Sequence, residues 1–220
     1  PAPKGTKLVM LGTRGGPGVD INRSETACAV VVDGVTYLLD CGYGTMRALV
    51  ASGLGFLRLD TMFRTHLHDD HTADIAALLD HQWTGGKTTP THVYGPYATA
   101  ATVAGALQFF HANVEIRMID EGRTVQPETL FFGHDLNVGA EPTRVFADER
   151  VVVTAVTNTH YPERALARMA HRSFGYRFET AGRTIAFSGD TAYSANVVKL
   201  ARGADVFVCE IMDHGLYLDN

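Results

Sequence analysis

Three imidazoles and two carboxylates fall within six consecutive positions, His66-Leu67-His68-Asp69-Asp70-His71, directly after the apolar run that ends at Thr65. Side chains of an extended strand alternate with period two, so His66 and His68 are expected on the same side of a strand end. Asp70 and His71 follow where the chain must turn, where they can face a second ion beside the first. An imidazole pair suits zinc, and a mixed imidazole and carboxylate set suits zinc, manganese or iron. A polar surface loop that happens to be rich in histidine is the bland alternative, but the His-x-His-x-Asp-His spacing is far more specific than a lone His-x-His.

The elements that must position these groups read as short β-branched runs broken by Gly-rich punctuation. Strands are expected over residues 7–11, 27–32, 35–39 and 61–65, with Asp33-Gly34 as a hairpin turn between the second and third. Helical spacing over 43–52 puts Met46, Leu49 and Val50 on one face, and Gly53 is a natural C-terminal stop. A helix over 74–83 ends at Gly85-Gly86, and then come a strand over 91–94, a helix over 98–110 and a strand over 114–119. From 122 to 150 the Pro and Gly content predicts irregular hairpins bridging two halves. Strands return at 151–157, 174–179, 184–187 and 206–208, with a helix over 194–201 between the last two. Such an order is an α/β (α+β) layout, with two sheets expected face to face under flanking helices, as one domain over residues 1–220. Two further polar residues, His160 and Asp190, follow expected strand ends, where a site can be assembled from distant sequence; a surface histidine and a helix cap are their ordinary readings.

Composition narrows the partners. A chain of 220 residues with 45% hydrophobic content can bury a substantial core. No apolar run reaches the length of a membrane span, so no membrane partner is expected. A net charge of −5 without a Lys/Arg cluster argues against nucleic acid and for a small-molecule substrate, and leaves a homodimer open. Cys28, Cys41 and Cys209 lie far apart, which excludes a Cys-x-x-Cys zinc site. The opening Pro1-Ala2-Pro3 looks like the flank of a cleaved leader, which favours export to a compartment such as the periplasm over the cytoplasm.

The His-x-His-x-Asp-His motif resembles that of the metallo-β-lactamase superfamily of metal-dependent hydrolases. Leu11-Gly12-Thr13-Arg14-Gly15-Gly16-Pro17, Asp40-Cys41-Gly42, Tyr94-Gly95-Pro96, Ser173 to Phe178, Ser188-Gly189-Asp190-Thr191 and Ala204 to Glu210 are similar to ribonuclease Z and its phosphodiesterase and arylsulfatase relatives. The likeness covers nearly the whole chain. The glycines at 12, 15, 16 and 18 lack a Gly-Lys-Ser/Thr ending, so they are expected to form a tight turn beside the site and not a nucleotide loop.

The resemblance implies an αβ/βα four-layer sandwich and two zinc ions, with manganese or iron as alternatives. It assigns His66, His68 and His160 to one ion, Asp70 and His71 to the other, and Asp190 to both. Two such cations would activate a bridging water for hydrolysis, and no Gly-x-Ser-x-Gly nucleophile elbow is present. Asp70 and Glu210 are the expected catalytic carboxylates; in this branch the Glu orients a late His that protonates the leaving group. Cys209 departs from the His that relatives carry before that Glu. Ten residues remain after Glu210, with His214 as the sole late histidine beside Asp213 and Asp219, so these 220 residues are expected to stop one or two βα units short of a full catalytic unit. His81, His92, His111, His134 and His171 match no ligand position and are read as surface, cap or core histidines. The expected function is hydrolysis of phosphodiester or related ester bonds in small substrates. A lactonase or β-lactam hydrolase is the enzyme alternative, and a non-catalytic metal-binding module is the alternative from another class.

Overall fold

The structure, a computed structural model, describes residues 5–16 and 18–211. Its elements are mixed α/β and fall into two compact units, Pro1–Asn137 and Val138–Asn220, each with its own sheet.

The first unit starts with β1 (Thr6–Gly12), β2 (Ala27–Val32) and β3 (Val35–Leu39), which pair antiparallel in that order. All six residues of β2 are buried, as a continuous apolar run in a central strand requires. Asp33 and Gly34 both take positive φ, 49° and 84°, the backbone that a two-residue hairpin turn demands. After α1 (Thr45–Ala51) the sheet continues in parallel through β4 (Thr61–Phe63), β5 (Thr91–Gly95) and β6 (Phe131–Asp135). Helices α2 (Asp69–Thr72), α3 (Ile75–Thr84), α4 (Thr99–Phe109) and α5 (His111–Asp120) complete the unit. Its core gathers Ala29, Leu38, Leu49, Met62, Leu78, Leu79 and Val93. The buried Gln82 of α3 donates to the carbonyls of Phe56 and Leu59, 2.8 Å each, and accepts from Thr91, so one amide ties the helix to the chain entering β4 and to β5.

The second unit holds β7 (Thr143–Ala147), β8 (Val151–Thr157), β9 (Phe174–Thr180), β10 (Thr184–Phe187) and β11 (Val206–Val208). The sheet order is β11-β10-β9-β8-β7, antiparallel except for the β10/β11 pair. A short α6 (Glu163–Leu166) precedes β9, and α7 (Ala195–Ala201), capped by the Ser194 side chain, packs Val197 and Leu200 against Val156.

Three local expectations are corrected. Residues 114–119 form part of α5 and not a strand. The alternation of Val114, Ile116 and Met118 fits either period, but His111 pairs with Glu115 and Arg117 with Glu121, both i,i+4 pairs that only a helix brings together. Val50 is 57% exposed and not part of the α1 core face, which buries Leu49. Between 122 and 150, β6 extends the first sheet and β7 the second, where only irregular hairpins were expected.

The 40–42 turn is pressed against the chain after β4. Cys41 N donates to the carbonyl of His71 at 2.8 Å, and a Cβ on Gly42 would lie 2.0 Å from the carbonyl oxygen of Asp70 and 2.6 Å from the Glu25 Cβ. Backbone cannot yield as a flexible side chain does. Gly42→Ala is therefore expected to cost about 1–3 kcal/mol, a fall in Tm of roughly 2–4 °C for each kcal/mol at this chain length. Thermal unfolding checks it, and an unchanged Tm would mean that this close approach is not required.

Candidate metal centre

The His-rich segment does not continue the strand, as expected from its alternation, because β4 ends at Phe63. It is held instead by its neighbours. Asp40 N donates to Phe63 O at 2.9 Å, Arg64 N to Tyr94 O at 2.8 Å, and the buried Arg64 guanidinium to the carbonyl of His71 at 3.2 Å. His68 is the extended residue before α2, with Thr72 Oγ1 donating to its carbonyl at 2.8 Å. Asp70 and His71 then sit in the single turn of α2, which sends both inward, while Asp69 and His68 are exposed.

His66, His71 and Asp70 are buried, at 0%, 1% and 6% exposure, and the rings of His66 and His71 lie 4.1 Å apart. His66 Nε2 is 3.1 Å from His68 Nδ1, and His71 Nε2 is 3.5 Å from Asp70 Oδ2. The orientation is set from behind. Asp40 Oδ2 accepts from His71 Nδ1 and from Thr65 Oγ1, 2.8 Å each, and its Oδ1 accepts from Thr65 N at 2.8 Å. With its hydroxyl proton given to Asp40, Thr65 Oγ1 accepts from His66 Nδ1 at 3.1 Å. Both imidazoles thus carry their proton on Nδ1 and present the Nε2 lone pair, the arrangement in which carboxylate-backed histidines bind metals. Asp70 is fixed from the Gly-rich loop: Gly16 N donates to Oδ2 at 2.6 Å, and a Cβ on Gly16 would lie 2.6 Å from the Asp70 Cγ, which agrees with the expected tight turn beside the site.

Asp40 and Thr65 were not singled out as site residues by sequence reasoning. Asp40 had a signal: it is a carboxylate closing an apolar strand, yet it is 1% exposed and takes φ of 60°, a conformation uncommon outside glycine and held at functional positions. Burial pushes the Cys28 thiol up to about 12 and the Cys41 thiol up to about 11, so neither is a thiolate donor.

In the second unit, His160 lies in the loop after β8, and Asp190 follows β10 through Ser188 and Gly189. Asn158 ties the two loops together, donating through Nδ2 to Ser188 O at 2.9 Å while its Oδ1 accepts from His160 N at 3.2 Å. Thr159 N donates to Thr191 Oγ1 at 3.1 Å. Tyr161 stacks obliquely on the His160 ring, and burial, followed by the Asp190 charge, pushes its phenol up to about 12. Glu210 accepts from Thr191 N, and its own N–H donates to Ser188 Oγ at 3.3 Å, so it braces the Asp190 loop. His214, Asp213 and Asp219 lie outside the described residues. His92 and His134 contact one another across β5 and β6, while His81 Nδ1 donates to Ala77 O within α3.

The beta-lactamase superfamily domain model matches residues 35–215. A ribonuclease Z from Mycobacterium sp. (strain KMS) is 29% identical over 204 residues, covering 92% of this chain and 67% of that protein. Among solved structures, a metallo-beta-lactamase fold protein from Bacillus subtilis superposes with a TM-score of 0.68 at 18% identity, over 92% of this chain and 70% of that one. Human tRNase Z, short form, gives 0.65 at 24% identity, over 91% and 75%. These likenesses show the metallo-β-lactamase fold, with mixed α/β elements in two sheets. The names ribonuclease Z and tRNase Z, carried by those relatives, stand against the expectation, drawn from this chain's net charge, that nucleic acid is an unlikely partner.

Proposed function

Because this chain belongs to the beta-lactamase superfamily domain family, on its ribonuclease Z branch, we infer that it is a metal-dependent hydrolase that cleaves phosphodiester bonds in small substrates with two zinc ions. His66, His68 and His160 would hold one ion, Asp70 and His71 the other, and Asp190 would serve both. Donor atoms within the first unit support the assignment: His66 Nε2 lies 3.1 Å from His68 Nδ1, and His71 Nε2 lies 3.5 Å from Asp70 Oδ2. Imidazole nitrogen with carboxylate oxygen is the donor chemistry of zinc, and also of manganese and iron. When bound, such ions lower the pKa of water towards neutrality and polarise the bond under attack.

The observation that carries the reading is the buried chain Asp40, Thr65, His66 and His71. A surface histidine loop has no need of a carboxylate at 1% exposure that fixes two ring tautomers at once. Asp40 holds the His71 Nδ1 proton, Thr65 holds that of His66, and Gly16 N–H aims the Asp70 carboxylate. Glu210, by bracing Thr191, keeps the Asp190 loop in place. RNA is the second reading, and the names of the relatives are what favour it.

The test is metal content by elemental analysis, followed by turnover on bis-p-nitrophenyl phosphate, a structured RNA, an aryl sulfate, a lactone and a cephalosporin. Phosphodiester turnover abolished by a chelator and restored by zinc is the expected result. Preference for RNA would replace small substrates by the second reading, and turnover of the lactone or cephalosporin alone would overturn the phosphodiester assignment. Asp190→Asn is expected to lower the content of both ions together and to cut hydrolysis more than about 100-fold, beyond the usual effect of a residue that merely supports a ligand. Loss of a single equivalent would make Asp190 a terminal ligand and not a shared one.

A further inference from the structure

Away from this centre, a second pair of imidazoles meets on the first sheet. β5 and β6 are parallel neighbours with Tyr94 opposite His134 and His92 opposite Phe132. The period of two puts His92, Tyr94, Phe132 and His134 on one face, opposite the buried Thr91 and Val93. His92 Nδ1 lies 2.9 Å from His134 Nε2, and both residues are partly exposed. Aromatic faces brace the rings: His92 stacks on Phe132 at 5.3 Å and 21°, and Tyr94 on His134 at 4.6 Å and 16°. Burial, and then the neighbouring His92, hold the His134 imidazole below its ordinary value, so it stays neutral and keeps a lone pair at pH 7.

We propose that His92 and His134 form an accessory two-nitrogen clip for a divalent copper or nickel ion. Two nitrogens each about 2.0–2.1 Å from an ion and at right angles to it are about 2.9 Å apart, whereas a tetrahedral ion spreads them to about 3.3 Å. The spacing across β5 and β6 matches the right-angled case, and tetragonal nitrogen and oxygen sites select copper(II) or nickel(II). On binding, the proton between the two rings leaves through solvent and the ring that held it takes one up at its other nitrogen, so both imidazoles stay neutral, and a small turn of either ring brings both lone pairs onto the ion. Water fills the remaining positions on the exposed side. The stacked Phe132 and Tyr94 limit how far the donors can separate, so the clip is preset by the sheet and independent of the His66 centre.

The experiment starts from protein fully loaded with zinc and titrates it with copper(II) or nickel(II) chloride alone, followed by calorimetry and, for copper, by electron paramagnetic resonance. One additional equivalent with a two-nitrogen copper signal is expected. His134→Phe, which keeps a flat ring in the stack, should weaken that equivalent at least tenfold with zinc content unchanged, and His111→Ala, on the exposed face of α5, should leave it intact. Should His134→Phe lose zinc as well, His92→Gln makes the same comparison. No additional equivalent in the wild type, or equal binding in the His92 and His134 variants, would overturn the proposal without bearing on the hydrolase reading.

Discussion

Replacing His66 or His68 by alanine is expected to remove at least one equivalent of metal from the purified protein and to reduce hydrolysis by more than about 100-fold, the upper range for residues that only support a ligand. Each would withdraw one of three imidazoles from the ion assigned to His66, His68 and His160. The two variants differ in what else they disturb. His66 is fully buried and accepts structural duty through Thr65, so its removal leaves a cavity and a hydroxyl without its ring partner. His68 is exposed, and its alanine variant should unfold at nearly the wild-type temperature while still losing metal. Elemental analysis beside a thermal melt separates the two causes. A His68→Ala protein with wild-type metal content and turnover would remove the motif from the centre.

Asp40→Asn is expected to lower metal affinity or turnover about 10–100-fold although Asp40 is not among the proposed ligands. Its two oxygens accept from three donors, Thr65 N, Thr65 Oγ1 and His71 Nδ1. Asparagine supplies one acceptor oxygen and turns an NH2 group towards the others, so at least one buried donor meets a donor, at a cost of about 1–3 kcal/mol. Asparagine tolerates the left-handed backbone that Asp40 adopts at φ 60°, so the loss reports the hydrogen bonds and not the backbone. Asp40→Ala adds backbone strain and should melt lower still. Competition with a chromogenic chelator gives the affinity and calorimetric melting the stability; an Asn variant that holds metal as tightly as the wild type would show that the His71 tautomer does not depend on Asp40.

These two variants separate what is local in the sequence from what is not. The histidine motif lies within six residues, and strands such as β2, β3, β8 and β10 run as apolar stretches with the same bounds in sequence and structure. Spacing and period are properties of a short window, so they could be read directly. Residues 114–119 could not, because three alternating apolar side chains satisfy both periods, and each of the pairs that decide for a helix has one member outside the run. β6 and β7 were hidden for a different reason: each is a five-residue run set among Pro127, Gly133, Gly139 and Pro142, which read locally as turns, and pairing with β5 and β8 supplies what so short a run lacks.

The motif, its donor chemistry, the α/β order and the family resemblance were thus determined by the sequence itself. That Asp40 and Thr65 stand behind the histidines was decided by the tertiary structure alone. They are 25 positions apart, and only the parallel pairing of β3 with β4, Leu39 beside Phe63, sets the carboxylate against the hydroxyl. The inward turn of Asp70 and His71 was decided in the same way. A one-turn helix too short to be stable alone persists because Arg64 and Cys41 hydrogen-bond to the carbonyl of His71 from neighbouring strand ends.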